Sequence, residues 1–223
     1  MIPLGIIGAA TPRAGGGAPT DPYFANVAAL LHMDGADGST TFPDVTGKVW
    51  TPTGNAQIDT TQFKFGGASG NFDGAGDNIS AAASADFGFG SGDFTVEGFA
   101  YQAGLTGAFC MFDNRTSGAA GFGLYAGGGT GSGAQRLCYF DNTAAIQIIG
   151  STTLPVNQMF HWAVTRSGTT VRLFQNGVQV GSGTDARTLA ASVAPFIGSA
   201  WNNSQNFAGW IDEVRITKGV ARY

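Results

Sequence analysis

Short apolar runs separated by Gly, Asp and Asn recur from Val27 to the end of the chain, at intervals that suit strands and tight turns. The pattern is sharpest in the second half. Met159 to Arg166 (MFHWAVTR) is followed by a Ser-Gly turn, then by Thr170 to Gln175, Asn176-Gly177 and Val178 to Val180. Asn-Gly between two alternating apolar runs predicts a hairpin with a type I′ turn, because both central residues of that turn need positive φ. Phe94, Val96 and Gly98 alternate with Thr95, Glu97 and Phe99, the period of two that a sheet requires. Ala28 to Met33 reads as a first strand closed by Asp34-Gly35. A last pair of strands, Ala194 to Ile197 and Trp210 to Ile216, brackets a polar loop from Gly198 to Asn206. Trp162 and Trp210 lie inside alternating strands and are expected in the core.

Composition narrows the fold class to all-β. The 36 glycines are about twice the average share, yet 43% of the chain is hydrophobic, a combination that suits a core with many tight turns. Thirteen Asp stand against two Glu and three Lys, so the usual surface residues of amphipathic helices are nearly missing. A chain of 223 residues can form one sandwich domain, and no period of about 20 to 50 residues suggests a solenoid or propeller. With a net charge of -4 and scattered arginines there is no basic stripe to neutralise phosphates, so neither nucleic acid nor membrane insertion is expected. The opening Met1 to Gly8 lacks the basic n-region of a signal peptide, and export by the general pathway is not expected.

Residues 1–24 mix an apolar tip with TPRAGGGAPTDP and read as an arm or linker; residues 25–223 carry the strand pattern. The tip residues Ile2, Leu4, Ile6 and Ile7 are the ones a partner could hold, the alternative being that they pack on their own domain. Cys110 and Cys138 each sit in an apolar run and read as buried free thiols, with a disulfide between neighbouring strands as the alternative.

Six motifs then fall in a recognisable order: LLHMDG, FDGAGDNIS, DFTVEGF, HWAVTRSGTTVRLFQNGVQV, FIGSAWNN and FAGWIDEVRIT. Together, from Ala25 to Tyr223, they resemble the laminin G-like, concanavalin A-like lectin jelly roll. The resemblance implies two antiparallel sheets packed face to face with the N- and C-terminal strands adjacent. It also implies sugar or protein recognition on the concave sheet or rim loops, and often a bound calcium. For calcium it points to Asp212 in WIDEV and Asp34 after the first strand. A glycine-rich version with a short apolar arm also resembles accessory proteins of tailed bacteriophage virions.

Some relatives of this fold are glycoside hydrolases, which need two carboxylates flanking the scissile bond. Asp212 and Glu213 are adjacent, which on a regular strand sends them to opposite faces. Asp93 and Glu97 have even spacing, but Glu97 is expected to pack with its carboxylate hydrogen-bonded. His32 and His161 have no neighbouring nucleophile in a known motif. The run GGGTGSG at 127–133 is followed by Ala134-Gln135-Arg136 in place of the Lys-Ser/Thr of a phosphate loop. An enzyme is therefore not expected.

For a sugar, the chemistry needed is an aromatic face ringed by amides. Trp201 with Asn202, Asn203, Gln205 and Asn206 offers that set on one loop; the alternative is that Trp201 covers the sandwich edge and the amides shape turns. Asn78, Asn114 and Asn202 begin Asn-x-Ser/Thr triplets, to which no meaning is attached without an export signal. The expected function is a non-enzymatic virion accessory protein, capsid or tail decoration, in a homo-oligomer. Its arm would dock on other virion proteins while the lectin-like domain meets surface glycans. A free carbohydrate-binding module and a ligand-free structural domain are the alternatives.

Overall fold

The computed structural model describes residues 21–223 apart from 103, 105–108, 119, 128–134 and 142–145. Ile2, Leu4, Ile6 and Ile7 lie outside the described residues. In chain order the strands are β1 Val27–Leu31, β2 Trp50–Thr53, β3 Gln57–Asp59, β4 Ser69–Asp73, β5 Asn78–Ala81, β6 Phe94–Gln102, β7 Phe109–Asp113 and β8 Phe122–Ala126. They continue as β9 Arg136–Asp141, β10 Gln147–Thr153, β11 Phe160–Ser167, β12 Thr170–Gln175, β13 Val178–Thr184, β14 Phe196–Ile197 and β15 Ala208–Lys218. Helix among the described residues is confined to two three-residue 3-10 turns, as the scarcity of Glu and Lys implies.

Two antiparallel sheets form the expected sandwich. An eight-stranded sheet runs β13-β12-β11-β6-β15-β4-β3, with β1 also paired to β15; a seven-stranded sheet runs β10-β9-β8-β7-β14-β5-β2. Strand β15 pairs with β6 along one edge and with β4 and then β1 along the other, so the first and last strands are neighbours. Alternation sends Phe94, Val96, Trp162, Val164, Ile211 and Ile216 inward from one sheet, to meet Phe112, Phe122, Leu124, Tyr139 and Ile197 from the other. Across the middle, Phe89 stacks on Phe94 at 4.4 Å, Phe94 on Phe122 at 5.0 Å and Phe122 on Tyr139 at 4.9 Å. Each such contact adds about 0.5–1.5 kcal/mol to the burial of its rings.

The hairpin forms as its sequence dictates: β12 and β13 pair around Asn176 at φ 50° and Gly177 at φ 78°. Other expectations need correction. The first strand stops at Leu31 because Met33 turns to φ 57°, which no extended strand accommodates. The two strands bracketing the Gly198–Asn206 loop do not pair; β14 enters the seven-stranded sheet and β15 the eight-stranded one. Trp162 is fully buried, but Trp210 is not core. With Ile211 facing in, Trp210 faces out, edge-on to Tyr101 at 5.2 Å, with its Nε1 donating to Asp59 Oδ1 at 3.0 Å.

Cys110 and Cys138 are buried free thiols on the outer side of the seven-stranded sheet. Tyr125 stands between them in the ladder, and two strand spacings of about 4.8 Å put them beyond disulfide reach. Of the three Asn-x-Ser/Thr triplets, Asn78 and Asn114 are buried and Asn202 is exposed.

Gly98 marks a close approach between core and ladder. A Cβ there would lie 2.7 Å from Trp162 Cζ2 and 3.2 Å from the Asp212 carbonyl oxygen. Gly98→Ala is expected to cost about 1–3 kcal/mol by overpacking, read as a lower urea midpoint with an unchanged slope; an unshifted midpoint would show that Trp162 yields freely.

Candidate functional site

The outer face of the seven-stranded sheet is shaped by a bulge. Between Cys110 and Phe112 the register of β7 against β8 shifts, so Met111 and Phe112 both reach the core while Asp113 pairs opposite Gly123 on the outer side, with Cys110 and Tyr125. Asp113 is buried there and organises its surroundings. Its Oδ1 accepts from Arg115 N at 2.7 Å and Nε at 3.1 Å, and its Oδ2 accepts from Arg115 Nη2 at 2.5 Å and from the Tyr125 hydroxyl at 3.3 Å. Burial pushes its carboxyl up to about 6, against the opposing pull of Arg115 and, more weakly, of the Trp201 backbone amide. The Arg115 guanidinium lies over the Tyr125 ring at 5.3 Å, and Phe140 meets Tyr125 edge-on at 5.5 Å.

The polar loop packs on this face, where Ala200 joins Cys110, Tyr125 and Cys138 and Cys110 N donates to the Gln205 carbonyl at 2.8 Å; Trp201 is exposed. Asn203 and Gln205 adopt φ 55° and 54°. Asn203 Oδ1 accepts from Asn78 Nδ2 at 3.2 Å and from Asn206 Nδ2 at 3.0 Å, and Asn202 Oδ1 accepts from the Ser204 hydroxyl at 2.6 Å. So the Asn203 and Asn206 side chains and the Gln205 carbonyl build the loop, and Trp201, Asn202, Asn203 and Gln205 are its exposed members, of which Trp201 is the aromatic one. Asp113, Arg115 and Tyr125 went unseen in the sequence, because strict alternation places Asp113 with Met111 in the core.

The second cluster lies where β1 and β4 meet end to end on β15. Register against β6 slips between Asp212 and Arg215, and Glu213 sits at φ 52°. The bulge cancels the alternation expected of adjacent residues. Asp212 lies opposite Phe99 and accepts from Lys64 N at 2.7 Å and Phe65 N at 3.2 Å; Glu213, on the same side, pairs with His32 Nδ1 at 2.9 Å. Burial pushes the Asp212 carboxyl up to about 6. Asp34 reaches the same turn, since a side chain at Gly66 would collide with its carboxylate. Oδ1 of Asp34 and Oδ1 of Asp212 are both buried without a hydrogen-bond partner. Two orphaned carboxylate oxygens at one backbone turn are a donor set that a hard cation fits, with carbonyls completing the shell. No cluster of three His, Cys, Asp or Glu suited to a metal occurs among the described residues.

The third feature is a cavity of about 280 Å³ on the outer face of the eight-stranded sheet, between Phe65, Phe99, His32, His161, Glu97 and Glu213. Glu97 is buried at its edge and hydrogen-bonded as expected: the Tyr223 hydroxyl donates to it, and Arg222 Nε and His161 Nε2 lie 3.2 and 3.6 Å away. These partners hold its carboxyl below the usual range despite burial. Asp93 instead accepts from Gly168 N at 2.8 Å in a turn, so it forms no pair with Glu97. Asp21 bridges Arg215 and Arg222, which fixes the start of the described chain at this face, opposite the Trp201 side.

A search of curated proteins finds no match. Among solved structures the chain is similar to domain 4 of AbnA, an extracellular arabinanase of Geobacillus stearothermophilus solved with arabinotriose: TM-score 0.67, 22% identity, 87% of this chain and 93% of that one. It is also similar to the botulinum neurotoxin serotype C1 binding domain, at TM-score 0.56 and 9% identity, with 88% of this chain covering 50% of that one. Trypanosoma rangeli sialidase matches at TM-score 0.61 and 15% identity, over 88% of this chain and 31% of its own. These likenesses concern the fold. A family model matches residues 73–221, and on that match the chain belongs to the concanavalin A-like lectin/glucanases superfamily, in its laminin G-like branch.

Proposed function

We propose that this chain is a non-enzymatic, lectin-like display domain that binds glycans on the outer face of its seven-stranded sheet, through the exposed Trp201 and Asn202 of the polar loop, on the face where Arg115 is fixed by Asp113. The observation that carries this reading is the seating of the polar loop on that face: Cys110 N donates to the Gln205 carbonyl at 2.8 Å, Ala200 packs with Cys110 and Tyr125, and Trp201 stays exposed among the loop's amides, the aromatic-plus-polar set that sugar recognition requires. Asn203, Gln205 and Asn206 act by holding the loop. The arabinotriose complex of the similar arabinanase domain agrees with a glycan ligand.

The virion accessory role extends this reading. The described chain starts at Asp21 on the opposite face, so an arm carrying Ile2, Leu4, Ile6 and Ile7 can hold a capsid or tail while the Trp201 face points away. Its support is that geometry and the resemblance to phage accessory proteins. We further propose that Asp34 and Asp212 hold calcium as a brace between β15 and the Lys64–Gly66 turn, supported by their two orphaned oxygens.

Three outcomes follow. Trp201→Ala should reduce binding on a glycan array by at least about tenfold, the order expected for losing an aromatic anchor, with the melting curve unchanged; full binding by the variant sinks the site. A chain lacking residues 1–20 should stay folded and keep its glycan profile but fail to decorate particles, and normal decoration would refute the arm's role. The third concerns Asp212, whose carboxyl is raised above its ordinary value. Its contribution to stability is fullest below about pH 4 and is lost as pH rises through about 6. Calcium-free protein should therefore lose on the order of 2 kcal/mol between pH 4.5 and 7.5 relative to Asp212→Asn. Calcium should restore that loss at pH 7.5 in the parent only; melting that is indifferent to calcium rejects the brace.

A further inference from the structure

We propose that the cavity on the outer face of the eight-stranded sheet is a second binding site, for one neutral sugar ring or a cyclic polyol of that size, separate from the Trp201 face. Its volume of about 280 Å³ lies below that of drug-sized sites, about 300–1,000 Å³, and suits a single ring.

The lining selects the chemistry. On one side stand Phe65 and Phe99, edge to face at 5.6 Å, with Phe65 54% exposed although it is a large apolar side chain. Such rings pack against the C–H face of a sugar. On the other sides stand two carboxylate–imidazole pairs, Glu213 with His32 and Glu97 with His161. Glu213 binds the Nδ1 side of His32, and the imidazole is exposed, so its Nε2 is open to a ligand hydroxyl. Carboxylate oxygens accept from hydroxyls and imidazole nitrogens serve either role, which matches a ligand whose every hydroxyl both donates and accepts.

Charge argues against the other ligand classes. Over lining and rim, the acidic Glu97, Glu213 and Asp21 are matched in number by Arg215 and Arg222, which Glu97 and Asp21 share, and by Lys64, whose Nζ lies 5.5 Å from the Phe99 ring centre. An anion or a cation would gain no net attraction and would disturb ion pairs already made. The pairs also fix the polar groups in advance, which lowers the entropy cost of binding. Together with the Trp201 face on the opposite sheet, the site would make the domain bivalent, able to bridge two glycan-bearing surfaces or raise avidity on one.

The test is an NMR titration of the full chain with arabinose, galactose, glucose and N-acetylglucosamine in turn, with glycerol as control, following the His32 and His161 ring signals. At least one sugar should shift both signals saturably. Glu213→Gln and Phe99→Ala should each weaken that titration by about tenfold, and Trp201→Ala should leave it unchanged. No saturable shift with any of the four sugars overturns the site, as does an equal response to glycerol or loss of the response in Trp201→Ala. Because the Trp201 variant reads out the other face, failure here leaves the glycan-array result standing, and the reverse also holds.

Discussion

Strand β15 bonds to β6 on one edge and to both β4 and β1 on the other, and the architecture depends on that double ladder. Eleven residues of one strand satisfy the backbone groups of three others and send Ile211, Val214 and Ile216 into the core. The ladder can serve two partners on one edge only by breaking its register at their junction. The bulge at Asp212 and Glu213 is that break. It swings two consecutive carboxylates to one side of the sheet, where one braces the Lys64–Phe65 turn and the other fixes His32.

The same device recurs in the seven-stranded sheet. A bulge in β7 turns Asp113 outward beneath its neighbours, and buried there it gathers Arg115 and Tyr125 into one polar knot. A buried carboxylate is costly unless fully hydrogen-bonded, so each partner it recruits is held in place. Both candidate ligand regions thus stand on carboxylates that a bulge delivers to an outer face. The sandwich between them is sealed by the Phe89–Phe94–Phe122–Tyr139 stack, which gives the two faces a rigid common floor.

The termini add a third constraint. Asp21 is shared by Arg215 and Arg222, and Tyr223 caps Glu97, so entry to and exit from the fold are fastened at one place on the eight-stranded sheet. That geometry puts the start of the described chain on the face opposite the polar loop, beside the cavity with its two glutamate–histidine pairs.

What the sequence determined by itself was everything that local chemistry dictates: the all-β class, the strand runs, the type I′ hairpin at Asn176-Gly177, and the inward set led by Trp162. The order of its motifs was enough to foresee the family and the adjacency of first and last strands. Tertiary structure decided what depends on register. Alternation misplaced Trp210, and it sent Asp212 and Glu213 apart when a bulge keeps them together. It also hid Asp113, which only the partner strand's pairing turns outward. The physical reason is that a bulge inserts one residue without leaving a composition signal, yet inverts the facing of every residue that follows it. The candidate sites lie where those inversions fall.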